Sequence, residues 1–327
     1  MSKVFIDSIQ PDYETVIARG LESTGIAARI ARGAAIAIKP NLTYPMYRKG
    51  VMTSPAALEG LIKVLKNFTD RITICESDSG GSNRFSMDGV FRDTGIAEMA
   101  RRYGVRVLNM SDQKSRRISV VSHGKTLTVP LPVMLLDETD MFITMPVPKI
   151  HMNTIVSVSV KNQWGVIQIP SERLKLHPYF ADVIYAVNKH LPNAISIVDG
   201  RYGLTRSGPM GGDPVDLNWL MVSDNLFAAD FVCCTLMGIE PASVPYLRKI
   251  FKAEHLSDMS QIEFSTDIHP FISATKFFLK RKWTDYPGML AFNSRPLAYL
   301  AYESPLAGVL HWLLYRFREP FYDYEKK

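Results

Sequence analysis

Five short apolar runs, each ending in polar residues, constrain the fold of this chain more than any other feature. They are rich in isoleucine and valine and too short for helices of ordinary length, so they predict buried β-strands. Each run stops at a loop that contains glycine, proline or charged side chains. The predicted strands are AIAIKPNLTYP (35–45), RITICESDSGG (71–81), VRVLNMSD (105–112), DMFITMPVPKIH (140–151) and AISIVDGRYG (194–203).

Helical patterns occupy the gaps between several of these runs. Residues 54–70, 91–104 and 178–191 place apolar side chains at helical spacing. Alternation of strand and helix is the pattern of a parallel sheet with right-handed crossovers. Residues 113–132 interrupt it and predict a β-hairpin that turns at His123-Gly124. The predicted class is therefore α/β, with a mainly parallel sheet, helices on both faces, an inserted β-hairpin and a helical, aromatic-rich C-terminal tail.

Polar and charged side chains are concentrated where the predicted strands end. Ligands of open α/β sheets bind beyond the carboxyl ends of the strands, so this distribution predicts one shared site. Solubility alone would not place these residues at one end of the sheet. The candidate ligand-binding residues are Lys39, Asn41, Glu76, Asp78, Lys149 and Asn162, and the candidate catalytic residues are His151, Lys161 and Asp199.

The stretch PVPKIHMNTIVSVSVKNQWG (146–165) carries two lysines and a histidine beside an alternation of valine and serine. If residues 156–161 form a strand, Lys161 shares its polar face with two serines while the valines share the other face. An ordinary half-buried strand with a solvated lysine explains the same spacing. Convergence with Lys39 favours an anion site, because clustered cations stabilise phosphate, carboxylate or a developing oxyanion.

Four acidic residues raise the question of a metal. Glu76, Asp78, Asp199 and Asp230 offer oxygen ligands for weakly bound Mg²⁺ that would bridge to a phosphate. Salt bridges to the nearby lysines explain these residues without a metal, and we favour the salt bridges slightly. The glycine- and serine-rich loop 77–83 matches neither standard phosphate-binding motif.

The cysteine content limits the cofactors that we expect. Cys75, Cys233 and Cys234 form no C-x-x-C pair, so we expect neither an iron–sulfur cluster nor structural zinc in this chain. The N-terminus lacks the apolar stretch of a signal peptide, and no run of about 20 apolar residues is present. We therefore expect a cytoplasmic protein. A formal charge of +6 is a mild excess, and we expect no nucleic-acid partner.

Aromatic and basic residues become frequent after about residue 240. We therefore expect an α/β domain over residues 1–240 and a helical extension over residues 241–327 that packs on it. Near the C-terminus, four side chains follow i, i+3, i+4, i+7 spacing: Leu310, Leu313, Leu314 and Phe317. Such a stripe most often docks on the protein's own core. The alternative is peripheral contact with an anionic membrane or a partner, since tryptophan and arginine accompany the stripe.

A set of short motifs follows one order along residues 36–240. They are KPNL (39–42), TSP (53–55), ESDSGG (76–81), PVPKIH (146–151), VKNQWG (160–165), VDG (198–200), SGPMGG (207–212) and SDNLFAAD (223–230). Together they resemble the domain-of-unknown-function family numbered 362. The resemblance implies that the candidate residues lie in the family's motif blocks. Many relatives carry a ferredoxin-like module or are described as iron–sulfur proteins. This chain lacks those cysteines, so such a role would require a separate partner.

Two functions from different classes follow from these observations. The first is an enzyme that acts on a small anionic metabolite, phosphorylated or carboxylated. Lys39, Lys149 and Lys161 would hold the anion, and His151 would act as general acid and base, since an ordinary histidine pKa lies near neutral pH. Asp199 would orient a lysine or a bound cation. The family resemblance favours an oxidoreductase supplied by a separate electron-transfer protein, while hydrolysis, ligation and elimination remain open. The alternative is a non-catalytic accessory protein that carries a ligand or cofactor in the same crevice.

Overall fold

The computed structural model describes residues 1–79, 86–302, 304–314 and 316. Part of the glycine-rich loop 77–83 and Phe317 of the C-terminal stripe lie outside the described residues. The strands are β1 Ser2–Ser8, β2 Ile36–Pro40, β3 Ile72–Glu76, β4 Arg106–Asn109, β5 Ser115–Ser122, β6 Lys125–Pro132, β7 Met141–Met145, β8 Lys149–His151, β9 Ile155–Ser157, β10 Ile195–Thr205, β11 Asp213–Ser223 and β12 Ile262–Phe264.

Helices cover both faces of the main sheet. They are α1 Tyr13–Ser23, α2 Pro55–Leu65, α3 Met87–Asp93, α4 Ile96–Tyr103, α5 Val133–Asp137, α6 Ser159–Asn162, α7 Pro170–Leu176, α8 Phe180–His190, α9 Leu226–Leu236, α10 Pro245–Ala253, α11 Tyr286–Asn293, α12 Arg295–Tyr302 and α13 Ala307–Leu314. Among the residues described, no helix has the length and apolar character needed to cross a membrane.

The main sheet has the strand order β12-β1-β11-β10-β7-β2-β3-β4. Neighbours from β10 to β4 are parallel, as are β1 and β12, while β11 runs antiparallel to both of its neighbours. β5 and β6 form a separate antiparallel hairpin. The predicted α/β class is confirmed, including the mainly parallel sheet, the inserted hairpin and the helical C-terminal region.

Local backbone conformation explains how two predicted elements formed. The hairpin turns at His123 (φ 48°) and Gly124 (φ 71°), the pair of left-handed residues that a two-residue turn between twisted strands requires. The single helix predicted over residues 91–104 is instead two helices, α3 and α4, because Gly95 adopts a left-handed φ of 77° between them. Gly104 caps the C-terminal end of α4, as the sequence predicted.

Alternation along β2 divides the core between the two faces of the sheet. Ile36 and Ile38 belong to the apolar cluster under α1, α2 and α4, whereas Ala37 belongs to the cluster under α8, α9 and α10. Lys39 follows Ala37 by two residues and therefore faces the same side. On that side it meets α6 rather than solvent, because Asn162 of α6 contacts Lys39.

The region after residue 240 contributes to the main sheet as well as to the helical tail. β12 pairs in parallel with β1, in the register Ser2 opposite Ile262, a strand that the sequence did not predict. Leu247 and Ile250 of α10 are buried in the core under α8. Farther along, Phe292 of α11 packs against the ring of Phe180.

Candidate functional site

The strand order reverses between β2 and β7. From β2 the chain builds β3 and β4 on one side and then returns to place β7 on the other. Such a switch point is where open α/β sheets bind ligands, at the carboxyl ends of the strands. Lys39 of β2 lies opposite Thr144 of β7. Asn162 Nδ2 donates to Thr144 Oγ1 at 2.9 Å and to the Lys39 carbonyl at 3.3 Å, which holds α6 over this point.

Lys39 and Glu76 form a buried ion pair between neighbouring strands. Lys39 Nζ lies 2.6 Å from Glu76 Oε2, and the two residues are 1% and 4% exposed. A methyl group at Gly165 would lie 2.6 Å from Glu76 Oε1 and 3.0 Å from Lys39 Nζ, so only glycine fits against the pair. Glu76 therefore has the salt bridge that we favoured over a metal.

Lys149 is buried under the loop that follows β2. It is 3% exposed, and its Nζ donates to the Val51 carbonyl at 2.6 Å and to Asn41 Oδ1. Burial, together with the nearby charges of Lys161 and Lys39, lowers the pKa of Lys149 to about 7. None of its partners in the described part of the chain is a carboxylate, so its charge is not neutralised.

The strand predicted over residues 156–161 is wrong. β9 ends at Ser157, and Ser159–Asn162 form the short helix α6. The amide groups of Ser159 and Val160 donate to Asp230 Oδ1 at 2.7 and 3.2 Å, so a buried carboxylate binds the start of α6. Capping of the first amides by a distant residue overrides the local alternation of valine and serine.

Lys161 projects from α6 without a neutralising partner. Among the described residues, no carboxylate pairs with Lys161 Nζ and no group forms a hydrogen bond with it. Nζ lies over the ring of Phe180, 5.6 Å from the ring centroid. Burial lowers the pKa of Lys161 to about 7, and the charge of Lys39 contributes in the same direction. At neutral pH this lysine therefore exchanges between its charged and neutral forms.

His151 does not have the near-neutral pKa that we expected. Burial lowers its pKa well below 6.5, and the charges of Lys161 and Lys149 act in the same direction. His151 Nδ1 accepts a hydrogen bond from the Asn153 amide at 3.1 Å, which places the ring proton of the neutral form on Nε2. The expectation that His151 titrates near working pH is wrong, because it is buried beside lysines.

The remaining candidate acids have structural partners. Asp78 accepts from the Met87 amide at 2.6 Å and from Asn109 Nδ2 at 3.1 Å. Asp199 accepts from the Ser54 amide at 2.7 Å and from Tyr13 Oη at 3.0 Å.

These contacts leave the acids apart from the lysines. Asp199 holds the start of α2, where Ser54 is the capping residue, and none of its hydrogen bonds within the described chain comes from a lysine. The expectation that Asp199 orients a lysine is therefore replaced by a role in anchoring α2. Burial raises the pKa of Asp230 to about 7, although the α6 amides oppose this shift.

Three residues of this region were missed in the sequence. His177 stacks on Trp164 with ring centroids 5.5 Å apart, and its Nδ1 is buried without a hydrogen-bond partner among the described residues. Burial and the charge of Lys161 lower the pKa of His177 to about 3. Arg173 donates to the Asp78 carbonyl at 2.6 Å and to the Gly165 carbonyl at 3.2 Å. The roles of His177 and Arg173 depend on contacts in the folded protein, and no sequence motif indicates them. Gly165 belongs to the VKNQWG motif quoted above. A glycine is needed there because the backbone passes close to Lys39 and Glu76.

The structure thus brings Lys39, Lys149, His151 and Lys161 into one electrostatic cluster, which we call the basic cluster. Each charge lowers the pKa of at least one neighbour, and Glu76 neutralises only Lys39. A second anionic group would relieve this repulsion, so the arrangement suits an anion. An open cavity of about 560 Å³ lies at the opposite end of the strands, lined by Ile36, Arg71 and Arg106 among others, and shares no residue with the cluster.

The fold and the site define an α/β protein with a largely buried basic cluster near the switch point of a parallel sheet. The chain belongs to the family described as Domain of unknown function (DUF362), whose model matches residues 36–235. All residues of the basic cluster lie within that match. The predicted family is therefore confirmed.

Similarity to individual proteins is more distant. A thylakoid-associated protein of Synechocystis sp. is 29% identical over 114 residues, which are 33% of this chain and 36% of that protein. A Thermotoga maritima crystal structure has a TM-score of 0.43 at 12% identity, over 78% of this chain and 61% of the other. The lactate racemase apoprotein of Thermoanaerobacterium thermosaccharolyticum has a TM-score of 0.40 at 16% identity, over 61% and 51%. The chain thus spans about a third of the Synechocystis protein.

Proposed function

We propose that this chain binds a small phosphorylated or carboxylated metabolite at the basic cluster and acts on it as an enzyme. The observation that carries the proposal is Lys161. It is an ammonium group with a pKa lowered to about 7, beside a second such lysine, and the described residues provide no carboxylate for it. Unpaired buried cations destabilise a fold, and functional sites are where such a cost is retained.

The charges suggest a division of labour within the cluster. Lys39 is already paired with Glu76, so it would contribute to anion binding as part of that ion pair and not as a separate positive charge. Lys149 and Lys161 carry pKa values of about 7, so either lysine can donate or accept a proton at neutral pH. His151 remains neutral and offers its Nε2 proton as a hydrogen-bond donor. In this assignment the lysines, not His151, are the acid–base groups.

The support for a redox reaction is weaker. It comes from the family resemblance and would require a separate electron-transfer protein. Proton transfer by the lysines is compatible with hydride or electron transfer, but also with elimination, hydrolysis or ligation. A weakly bound Mg²⁺ would have to share Glu76 or Asp78 with the partners described above. The proposal therefore specifies the charge of the metabolite and the proton-transferring residues, and leaves the reaction to experiment.

A metabolite screen tests the proposal. Purified protein is incubated with a metabolite extract, and both the bound fraction and the remaining extract are followed by mass spectrometry over time. We expect enrichment of one anionic metabolite and its consumption. Lys161→Met should lose both effects, and Lys125→Met, at the exposed hairpin tip, should lose neither. Retention without consumption would favour the accessory-protein alternative. Enrichment of a neutral or cationic compound, or identical results for Lys161→Met, would contradict anion binding at the cluster.

A further inference from the structure

Large apolar side chains are exposed at the C-terminal end of this protein. Before residue 272, the described part of the chain exposes only three of them, Met1, Met46 and Val121. Thereafter they occur on α11, α12, α13 and the adjoining segments. We call the following six residues the apolar tail surface: Trp283, Leu290, Tyr299, Leu306, Trp312 and Leu313.

The same tail is attached to the main domain by a different set of side chains. Phe292 and Ala298 are buried, and the Phe292 ring lies 4.6 Å from that of His177. Arg295 lies over the Tyr179 ring, 4.5 Å from its centroid. Docking on the core, the commoner outcome for such a segment, therefore accounts for one side of α11 and α12. The residues of the apolar tail surface remain exposed to solvent, with Trp312 at 57% exposure.

The tail carries an excess of basic residues. Between residues 276 and 313, which include the whole apolar tail surface, the sequence has five lysines and arginines and two acidic residues, Asp285, which is buried, and Glu303. Lys276, Lys280 and Lys282 are exposed. Protein–protein interfaces are depleted in lysine, whereas lysine beside tryptophan and tyrosine is typical of helices that lie on anionic membranes. In α13 every residue except His311 is nonpolar, which suits partial burial among lipid chains.

We propose that the apolar tail surface binds an anionic lipid membrane, with α11, α12 and α13 at the interface and the exposed lysines against the headgroups. This inference does not depend on the proposed function. Because Phe292 packs against the Phe180 ring, which also contacts Lys161, the bound protein would hold its basic cluster beside the bilayer. Both sides of α11 then have a role, one on the core and one on the lipid.

Vesicle sedimentation tests this inference with full-length protein. The probes are vesicles of phosphatidylcholine alone and vesicles that also contain phosphatidylglycerol. We expect sedimentation with the anionic vesicles, less at high salt because screening weakens the attraction. Trp312→Glu combined with Leu313→Glu should lower the affinity at least about tenfold, since two side chains no longer enter the lipid. Val121→Glu, which changes an exposed apolar residue on the hairpin, is the matched control and should bind like the natural protein.

Two further measurements serve as controls for folding and for insertion into the lipid. Circular dichroism should show the same folded signal for all proteins, because the replaced side chains are exposed; Leu306→Glu provides a second tail variant. Tryptophan emission should shift to the blue on anionic vesicles, since Trp283 and Trp312 are exposed in the free protein.

Three results would overturn the membrane assignment. The first is that the natural protein stays in the supernatant with both kinds of vesicle. The second is that the tail variants bind vesicles as well as the control does. The third is that the natural protein forms a stable dimer in light scattering and binds no vesicles, while the tail variants are monomers. The last result would assign the surface to a second copy of the chain.

Discussion

Replacing Lys161 with methionine should make this protein more stable at neutral pH. The lysine has a pKa of 10.5 in its ordinary state and about 7 in the fold. Between these values the unfolded chain binds more protons than the native protein, so the lysine opposes folding most at and below pH 7. The opposition disappears as the pH rises toward 10.5. Methionine has a similar length, carries no charge and cannot titrate.

The size of the effect follows from that pKa. If the whole shift in the lysine pKa acted on stability, it would lower the free energy of unfolding by about 4 kcal/mol at pH 7 and by about 2 kcal/mol at pH 9. Lys161 retains partial exposure to solvent, which screens its charge, so we halve both figures. Lys161→Met should then be more stable than the natural protein by about 2 kcal/mol at pH 7, and its advantage should fall to about 1 kcal/mol at pH 9.

Urea unfolding followed by tryptophan fluorescence at both pH values provides the measurement. Lys125→Met removes an exposed lysine from the hairpin tip and should change stability by the same small amount at each pH. A Lys161→Met protein that is destabilised, or whose advantage does not change with pH, would refute the reasoning, because the lysine would then be neutralised or solvated in the native protein. A gain in stability combined with loss of ligand is the expected signature of a residue kept for function.

Other changes test separate parts of the account. Gly165→Ala should lower stability by about 1–3 kcal/mol, because the added methyl group overlaps the Lys39–Glu76 pair, and thermal unfolding measures this loss. In the natural protein Asp230 has a pKa raised to about 7, so it opposes folding increasingly as the pH rises from 4 to 7. In Asp230→Asn, the free energy of unfolding measured with urea should fall less between pH 4 and pH 7, by up to about 4 kcal/mol. The same fall in both proteins would contradict the assigned pKa of Asp230. His151→Gln should leave the pH dependence of anion affinity unchanged in calorimetry, since the neutral ring takes up no proton; a changed slope would restore His151 as an acid–base group.

Much of the fold could be predicted because local signals agreed with tertiary structure. Ile36 and Ile38 lie on a strand buried on both faces, and such strands keep a continuous apolar run. The His123-Gly124 turn has its own backbone signature. The rule that ligands bind at strand ends selected Lys39, Lys149 and His151 together, since parallel strands end at one edge of the sheet.

The errors occur where distant residues decide the structure. The local pattern at Val158 and Ser159 predicts a strand. The segment instead begins α6, because Asp230, 71 residues beyond Ser159, binds the first amides of that helix. The pKa of His151 depends on burial and on lysines from other elements, which spacing does not reveal. Asp199 follows a strand as expected, but its partners come from the start of α2 and from α1.

The proton balance of anion binding tests the central claim most directly. Sulfate and malonate, whose charges are fixed near pH 8, are titrated into the protein by calorimetry in two buffers with different ionisation enthalpies. At pH 8 the free lysines 149 and 161 are mostly neutral because their pKa values are about 7, and a bound anion should recharge them. We predict that at least one of the anions binds with uptake of protons approaching two per site, and that Lys161→Met shows neither binding nor proton uptake at the same anion concentration. Binding without proton uptake, or no binding of either anion, would contradict an anion site built on these two lysines.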